Sequence, residues 1–205
     1  MPEEVGVILD NLSSVKSSKF GDLELYSGVL NLNDEREVFI TTGWSGWGKV
    51  SAARATTRLL SSSFNSVPVE IAIFTGVAGG VDKKLKKWDI ILSNSVIQHD
   101  MDARPLFDKY VVPAIKNKKI IPNYDLLEHI YNHLGKELNK KNFSAFGNVY
   151  KGLIATGDMF ISDTNKIDQL SKEISGLSAI EMEGAAFAQV AYQEKFDWSF
   201  YLPKA

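Results

Sequence analysis

At 205 residues, 44% hydrophobic and 23% charged, the chain is long enough to bury one sizeable core, and a single domain over residues 1–205 is expected. A formal net charge of −2 gives no electrostatic case for binding nucleic acid or an anionic membrane surface. Cysteine is absent, which excludes disulfides and thiolate chemistry; no apolar run approaches the roughly 18 residues of a membrane span and no secretory leader pattern opens the chain, so the cytoplasm is the expected compartment.

Pro2 followed by Val5, Ile8, Leu9 and Leu12 gives the stripe of an amphipathic helix with proline in its first turn. Glu3 and Glu4 then stand at a helix N-terminus, where dipole compensation alone accounts for them. Short β-prone runs over residues 23–30 and 38–42, joined by Asn33-Asp34-Glu35-Arg36, predict a hairpin. Gly43-Trp44-Ser45-Gly46-Trp47-Gly48-Lys49-Val50 leads into a helix carrying Ala53, Leu59 and Leu60. Free backbone N–H groups in such a turn can bind an anion. Gly43, Gly48 and Lys49 approximate a phosphate-cradling loop, but Val50 replaces the magnesium-binding hydroxyl and argues against nucleotide triphosphate hydrolysis.

The near-continuous apolar run over residues 67–74 predicts a strand covered on both faces, ending in Thr75-Gly76-Val77-Ala78-Gly79-Gly80, small residues that let a ligand approach the backbone. A second strand, opened by Asp89, carries toward His99-Asp100-Met101-Asp102, a group that lacks the further histidine or cysteine of a metal site. Residues 123–134 predict a helix capped by Asn123 and ended by Gly135, with His129 and His133 on a solvated face. A strand over residues 148–156 turns into Gly157-Asp158-Met159-Phe160-Ile161, and Asp163-Thr164 caps a helix bearing Ile167, Leu170 and Ile174. Finally Ser178-Ala179-Ile180-Glu181-Met182-Glu183-Gly184-Ala185-Ala186 reads as a buried strand running into a close-packed helix. Carboxylates at that junction serve either a helix dipole or a ligand.

Glu181-Met182-Glu183-Gly184-Ala185 resembles the signature of the nucleoside phosphorylase/nucleosidase superfamily, and Gly157-Asp158-Met159-Phe160-Ile161 resembles its second marker. With the 75–80 loop and His99-Asp100-Met101-Asp102 in the same order, the chain is most similar to the 5′-methylthioadenosine/S-adenosylhomocysteine nucleosidases. The resemblance extends from Met1 to about Gln193. It implies one α/β domain around a mixed, largely parallel sheet flanked by helices, hydrolysing the N-glycosidic bond of adenine thionucleosides without cofactor or metal, as a homodimer. It also implies roles. Glu4 activates water, and Glu183 of the Glu181-Met182-Glu183 junction holds the ribose hydroxyls, with Met182 against the sugar. Val77, Ala78 and Gly79 lie beneath ribose and base, Phe160 stacks on adenine, and the Ile161 backbone reads the purine edge. Trp47 fits the bulky residue of nucleosidases where phosphorylases hold phosphate, and Phe107 closes the pocket of a neighbouring subunit.

The chain departs from the family's pattern at three places. Val77 stands where serine or threonine is common, no first strand precedes Met1, and after Gln193 neither the family's last strand-helix unit nor its leaving-group aspartate is found. The domain is therefore read as shortened at both ends, Asp197 is not assigned the acid role, and slow turnover is expected. A phosphorylase and a non-catalytic adenine-nucleoside binder remain as alternatives.

Overall fold

The structure, a computed structural model, describes residues 2–203 apart from 141, 142 and 144, and the side chains of residues 2–4 and 200–203 lie outside the described part. Helix α1 (Pro2–Leu9) starts at its proline and closes when Leu12 N donates to Leu9 O at 3.0 Å. Strands β1 (Ser13–Phe20), β2 (Leu23–Asn31) and β3 (Glu37–Gly43) form an antiparallel sheet in that order. The expected hairpin is β2 and β3, its turn closed by Leu32 N donating to Arg36 O at 2.9 Å. β1 has no counterpart in the sequence pattern. Its Ser-Ser-Val-Lys-Ser-Ser-Lys-Phe lacks apolar alternation and is exposed up to Phe20, and what orders it is backbone pairing with β2.

Helix α2 (Lys49–Leu60) follows the Gly-rich turn. The run over residues 67–74 does not become one strand: β4 (Ser63–Phe64) pairs with β5 (Val67–Pro68), and only β6 (Ile71–Thr75) enters the central sheet. Pro68 has no N–H to extend a ladder, which accounts for the break. Ile71 and Ile73 are each 52% exposed, so the expected covering of both faces does not hold.

The remaining elements are β7 (Gly79–Gly80), β8 (Ile90–Gln98), β9 (Lys119–Ile120), α3 (Tyr124–Asn139), β10 (Val149–Thr156), α4 (Thr164–Glu173), β11 (Leu177–Glu181), α5 (Gly184–Gln193) and β12 (Asp197–Pro203). Helix α3 passes through Gly135, because Leu134 and Leu138 continue its half-buried stripe. His129 and His133 are exposed on its outer face.

The central sheet has seven strands in the order β6-β12-β8-β10-β11-β7, with β9 added to β8. β10 runs parallel to both β8 and β11, while β12 is parallel to β6 and antiparallel to β8. This is the mixed α/β sheet expected. One expectation is corrected: a strand does follow Gln193, and β12 lies inside the sheet with Trp198 2% and Ser199 0% exposed. Its Trp-Ser-Phe-Tyr-Leu stretch is β-prone and fills the gap between β6 and β8.

Helix α5 covers one face of the sheet, where Ala185, Ala188 and Ala191 allow close approach to Ile91, Val96 and Ile154. Leu170 and Ile174 from and beside α4 pack with Ile97, Leu153, Leu177 and Ile180 in a second cluster. Each fully buried Ile or Leu here contributes about 1.5–3 kcal/mol. This packing fixes the carboxyl ends of β8, β10 and β11, where Gln98, Thr156 and Glu181 stand side by side in register.

Candidate active site

Glu181 ends β11 with its side chain only 7% exposed. One carboxylate oxygen, Oε2, accepts from Glu183 N and Gly184 N, both at 2.7 Å, and Oε1 accepts from the Thr156 hydroxyl. Thr156 Oγ1 in turn accepts from Ala185 N at 2.8 Å. The first free N–H groups of α5 are thus held by two side chains from neighbouring strand ends, as helix termini require. Burial pushes the Glu181 carboxyl up to about 7, against the lowering effect of the Thr156 and backbone hydrogen bonds.

Because Glu181 satisfies the helix terminus, Glu183 makes no cap bond and is free to face outward. Its Oε1 accepts from Gly48 N at 2.7 Å, across 135 residues of sequence. Partial burial raises its pKa, Gly48 N–H lowers it, and the nearby Asp158 charge raises it again. Gly48 has φ 84°, a left-handed conformation that turns its N–H toward this carboxylate. The next amide, Lys49 N, donates to Asp158 Oδ1 at 2.8 Å. Lys49 Nζ reaches Asp100 Oδ1 at 2.7 Å and Gln98 Oε1 at 3.3 Å. Burial works against the Asp100 charge, but hydrogen bonds from Lys49 and from Asp158 N outweigh it and hold the carboxyl below its usual range. The Gly-rich turn therefore spends two amides and its lysine on the protein's own carboxylates.

Of these groups, Glu181 and Glu183 line a cavity of about 660 Å³. Of the residues singled out from sequence, Trp47, Val77, Ala78, Gly79, Phe160, Ile161, Glu181, Met182 and Glu183 all line it. The wall also includes Trp44, Phe74 and Phe187, and apolar surface predominates. Phe160 is 80% and Trp47 67% exposed, so both stand at the mouth. Val77 offers no side-chain hydroxyl to the cavity it lines.

Two sequence-derived candidates stand apart. Phe107 is half-buried in a turn where its N–H donates to Ala103 O at 3.2 Å, and it does not line this cavity. The Glu4 side chain lies outside the described residues, although Val5 and Ile8 of the same helix line the cavity. Asp197 is remote: it pairs opposite Ile71 and accepts from Asn123 Nδ2 at 3.0 Å, whereas Tyr201, level with the cavity-lining Thr75, lies four residues further along β12, about 13 Å.

His99 is 6% exposed, its ring packed where a Cβ on Gly157 would come within 2.3 Å. Burial lowers its pKa, and Nε2 has no hydrogen-bond partner among the described residues. Thr156 is a site element that the sequence pattern does not reveal. A threonine ending an apolar strand looks like any β-branched residue.

The phosphorylase superfamily model matches residues 1–198. The 5′-methylthioadenosine/S-adenosylhomocysteine nucleosidase of Shewanella denitrificans is 36% identical over 197 residues, 95% of this chain and 78% of that protein. The chain belongs to this nucleosidase family of the phosphorylase superfamily. Among solved structures of the family, that from Neisseria meningitidis, in complex with methylthio-immucillin-A, has a TM-score of 0.83 and 26% identity over all of this chain and 81% of that one. The nucleosidase from Colwellia psychrerythraea, in complex with adenine, gives a TM-score of 0.80 at 30% identity, covering 100% of this chain and 80% of that one.

Proposed function

We propose that this chain hydrolyses the N-glycosidic bond of 5′-methylthioadenosine and S-adenosylhomocysteine, releasing adenine. The observation that carries the choice of water over phosphate is the Gly-rich turn: Gly48 N and Lys49 N donate to Glu183 and Asp158, and Lys49 Nζ pairs with Asp100, so the groups that would hold an oxyanion there are already engaged. In this reading Glu183 accepts hydrogen bonds from the ribose 2′- and 3′-hydroxyls, and Met182 packs on the sugar. The 77–79 loop lies beneath ribose and base, and Phe160 stacks on adenine while the Ile161 backbone reads its edge. Trp47 closes the mouth. Glu4 activates the attacking water. The transition state gathers positive charge on the ribose, and the Glu183 carboxylate beside it stabilises that charge.

The family likeness supports a homodimer in which Phe107 serves the partner's pocket, and a cytoplasmic role in nucleoside catabolism and methionine salvage. A second reading, an adenine-nucleoside binder with slow turnover, is favoured by one observation. Asp197 is bonded to Asn123 far from the cavity and cannot protonate the leaving base. Incubation with methylthioadenosine in the presence and absence of phosphate separates the readings. Free methylthioribose and adenine at a rate indifferent to phosphate is the expected result; phosphate-dependent sugar phosphate would establish a phosphorylase, and tight binding without products a binder.

A further inference from the structure

We propose that Thr156 is a positioning residue for Glu183: through Glu181 and the backbone of Ala185 its hydroxyl holds the first turn of α5, and with it the carboxylate that meets the ribose diol. The inference rests on the nucleosidase reading for what Glu183 binds, but its geometry does not. Thr156 is fully buried at 0% exposure, so no solvent competes for its hydroxyl. That hydroxyl accepts from Ala185 N at 2.8 Å and donates to Glu181 Oε1. Glu181 Oε2 then takes Glu183 N and Gly184 N, both at 2.7 Å. Three consecutive amides are thereby fixed by one relay, and Glu183 itself contributes no cap.

Remove the hydroxyl and two buried groups lose partners at once, the Ala185 N–H and Glu181 Oε1. An unsatisfied buried group carries a penalty that the helix turn relieves by shifting toward the open cavity. Glu183 moves with that turn, because its own N–H is one of the three. The purine-facing loop need not move: Gly157 N is held independently by Glu181 O at 3.2 Å, and Asp158 N by Asp100 Oδ2 at 2.9 Å. The relay thus acts on ribose recognition and not on base recognition. A Thr156 that merely fills space would behave differently, since valine has the same shape.

The test compares Thr156→Val and Thr156→Ser with the natural chain for binding of methylthioadenosine, 2′,3′-dideoxyadenosine and free adenine. In Thr156→Val the affinity for methylthioadenosine should fall about tenfold, the order of one net buried hydrogen bond, while affinity for the dideoxy compound and for adenine stays within about twofold. Thr156→Ser should retain the natural preference for the ribose hydroxyls. Amide hydrogen exchange over residues 182–190 without ligand should quicken about tenfold in Thr156→Val and not in Thr156→Ser. Equal losses for all three ligands, no loss at all, or unchanged exchange would overturn the proposal. Where Thr156→Val does not fold, Thr156→Ser decides alone, because loss of ribose preference with the hydroxyl retained contradicts the relay. Failure of the natural chain to bind any of the three ligands would sink the nucleosidase reading, and the exchange measurement would still judge the relay.

Discussion

Replacing Glu181 by Gln should favour the variant increasingly as pH rises from acid to neutral, on top of a pH-independent cost because the Thr156 hydroxyl loses its acceptor when Oε1 becomes an amide nitrogen. The amide keeps an oxygen for Glu183 N and Gly184 N and can never carry the buried charge. In the folded chain, burial raises the Glu181 carboxyl from 4.5 to about 7, and at 1.36 kcal/mol per unit that is ~3 kcal/mol. Below about pH 4.5 the group is protonated in folded and unfolded chains alike, so its stability contribution is fully present. As pH rises through about 7 the folded chain must ionise a buried carboxyl, and that contribution is lost. Urea unfolding of the two proteins between pH 5 and 8 measures the difference directly. His99, whose burial depresses its pKa and so pushes stability the other way with pH, is common to both and cancels. The stability difference should shift toward Glu181→Gln by ~3 kcal/mol across the interval. Parallel curves would show that Glu181 ionises freely in the fold and would refute the account of its burial.

Glu183→Gln should weaken methylthioadenosine by about 1.5–3 kcal/mol in calorimetry, because an amide oxygen accepts from the ribose hydroxyls less strongly than a carboxylate; unchanged affinity would remove Glu183 from the site. Asp197→Asn should leave adenine release within about twofold of the natural chain, since its partner is Asn123 and not a ligand; a loss of the 10²- to 10⁴-fold typical of a general acid would reinstate it. Light scattering should find a dimer, and Phe107→Ala should raise KM without unfolding the chain; a stable, folded monomer contradicts a role for Phe107 across an interface.

Much of this architecture can be read from residues, and the failures have local causes. The apolar stretches of β8, β10 and β11 announce strands because most of their residues are buried, although Ser93-Asn94-Ser95 and Lys151 interrupt the first two. β1 is silent because Ser and Lys at exposed positions leave no hydrophobic alternation, and its order comes from the ladder with β2. The place of β12 between β6 and β8 is a tertiary fact: nothing in Trp198 or Ser199 says which strands they will join. At the site, the acids beside α5 and the small residues of the 75–80 loop stand out by type and spacing. The Gly48 to Glu183 bond and the Thr156 relay join residues far apart in sequence, and a buried threonine or a glycine amide leaves no pattern until the chain is folded.

Hydrolysis at the cavity holding Glu183 is tested most directly by running the reaction in ¹⁸O-labelled water, free of phosphate, and weighing both products of methylthioadenosine. One heavy oxygen in the methylthioribose and none in the adenine is the predicted outcome, lost together in Glu183→Gln at matched enzyme. Adenine that appears only with added phosphate, an unlabelled sugar, or a Glu183→Gln variant as active as the natural chain would contradict it.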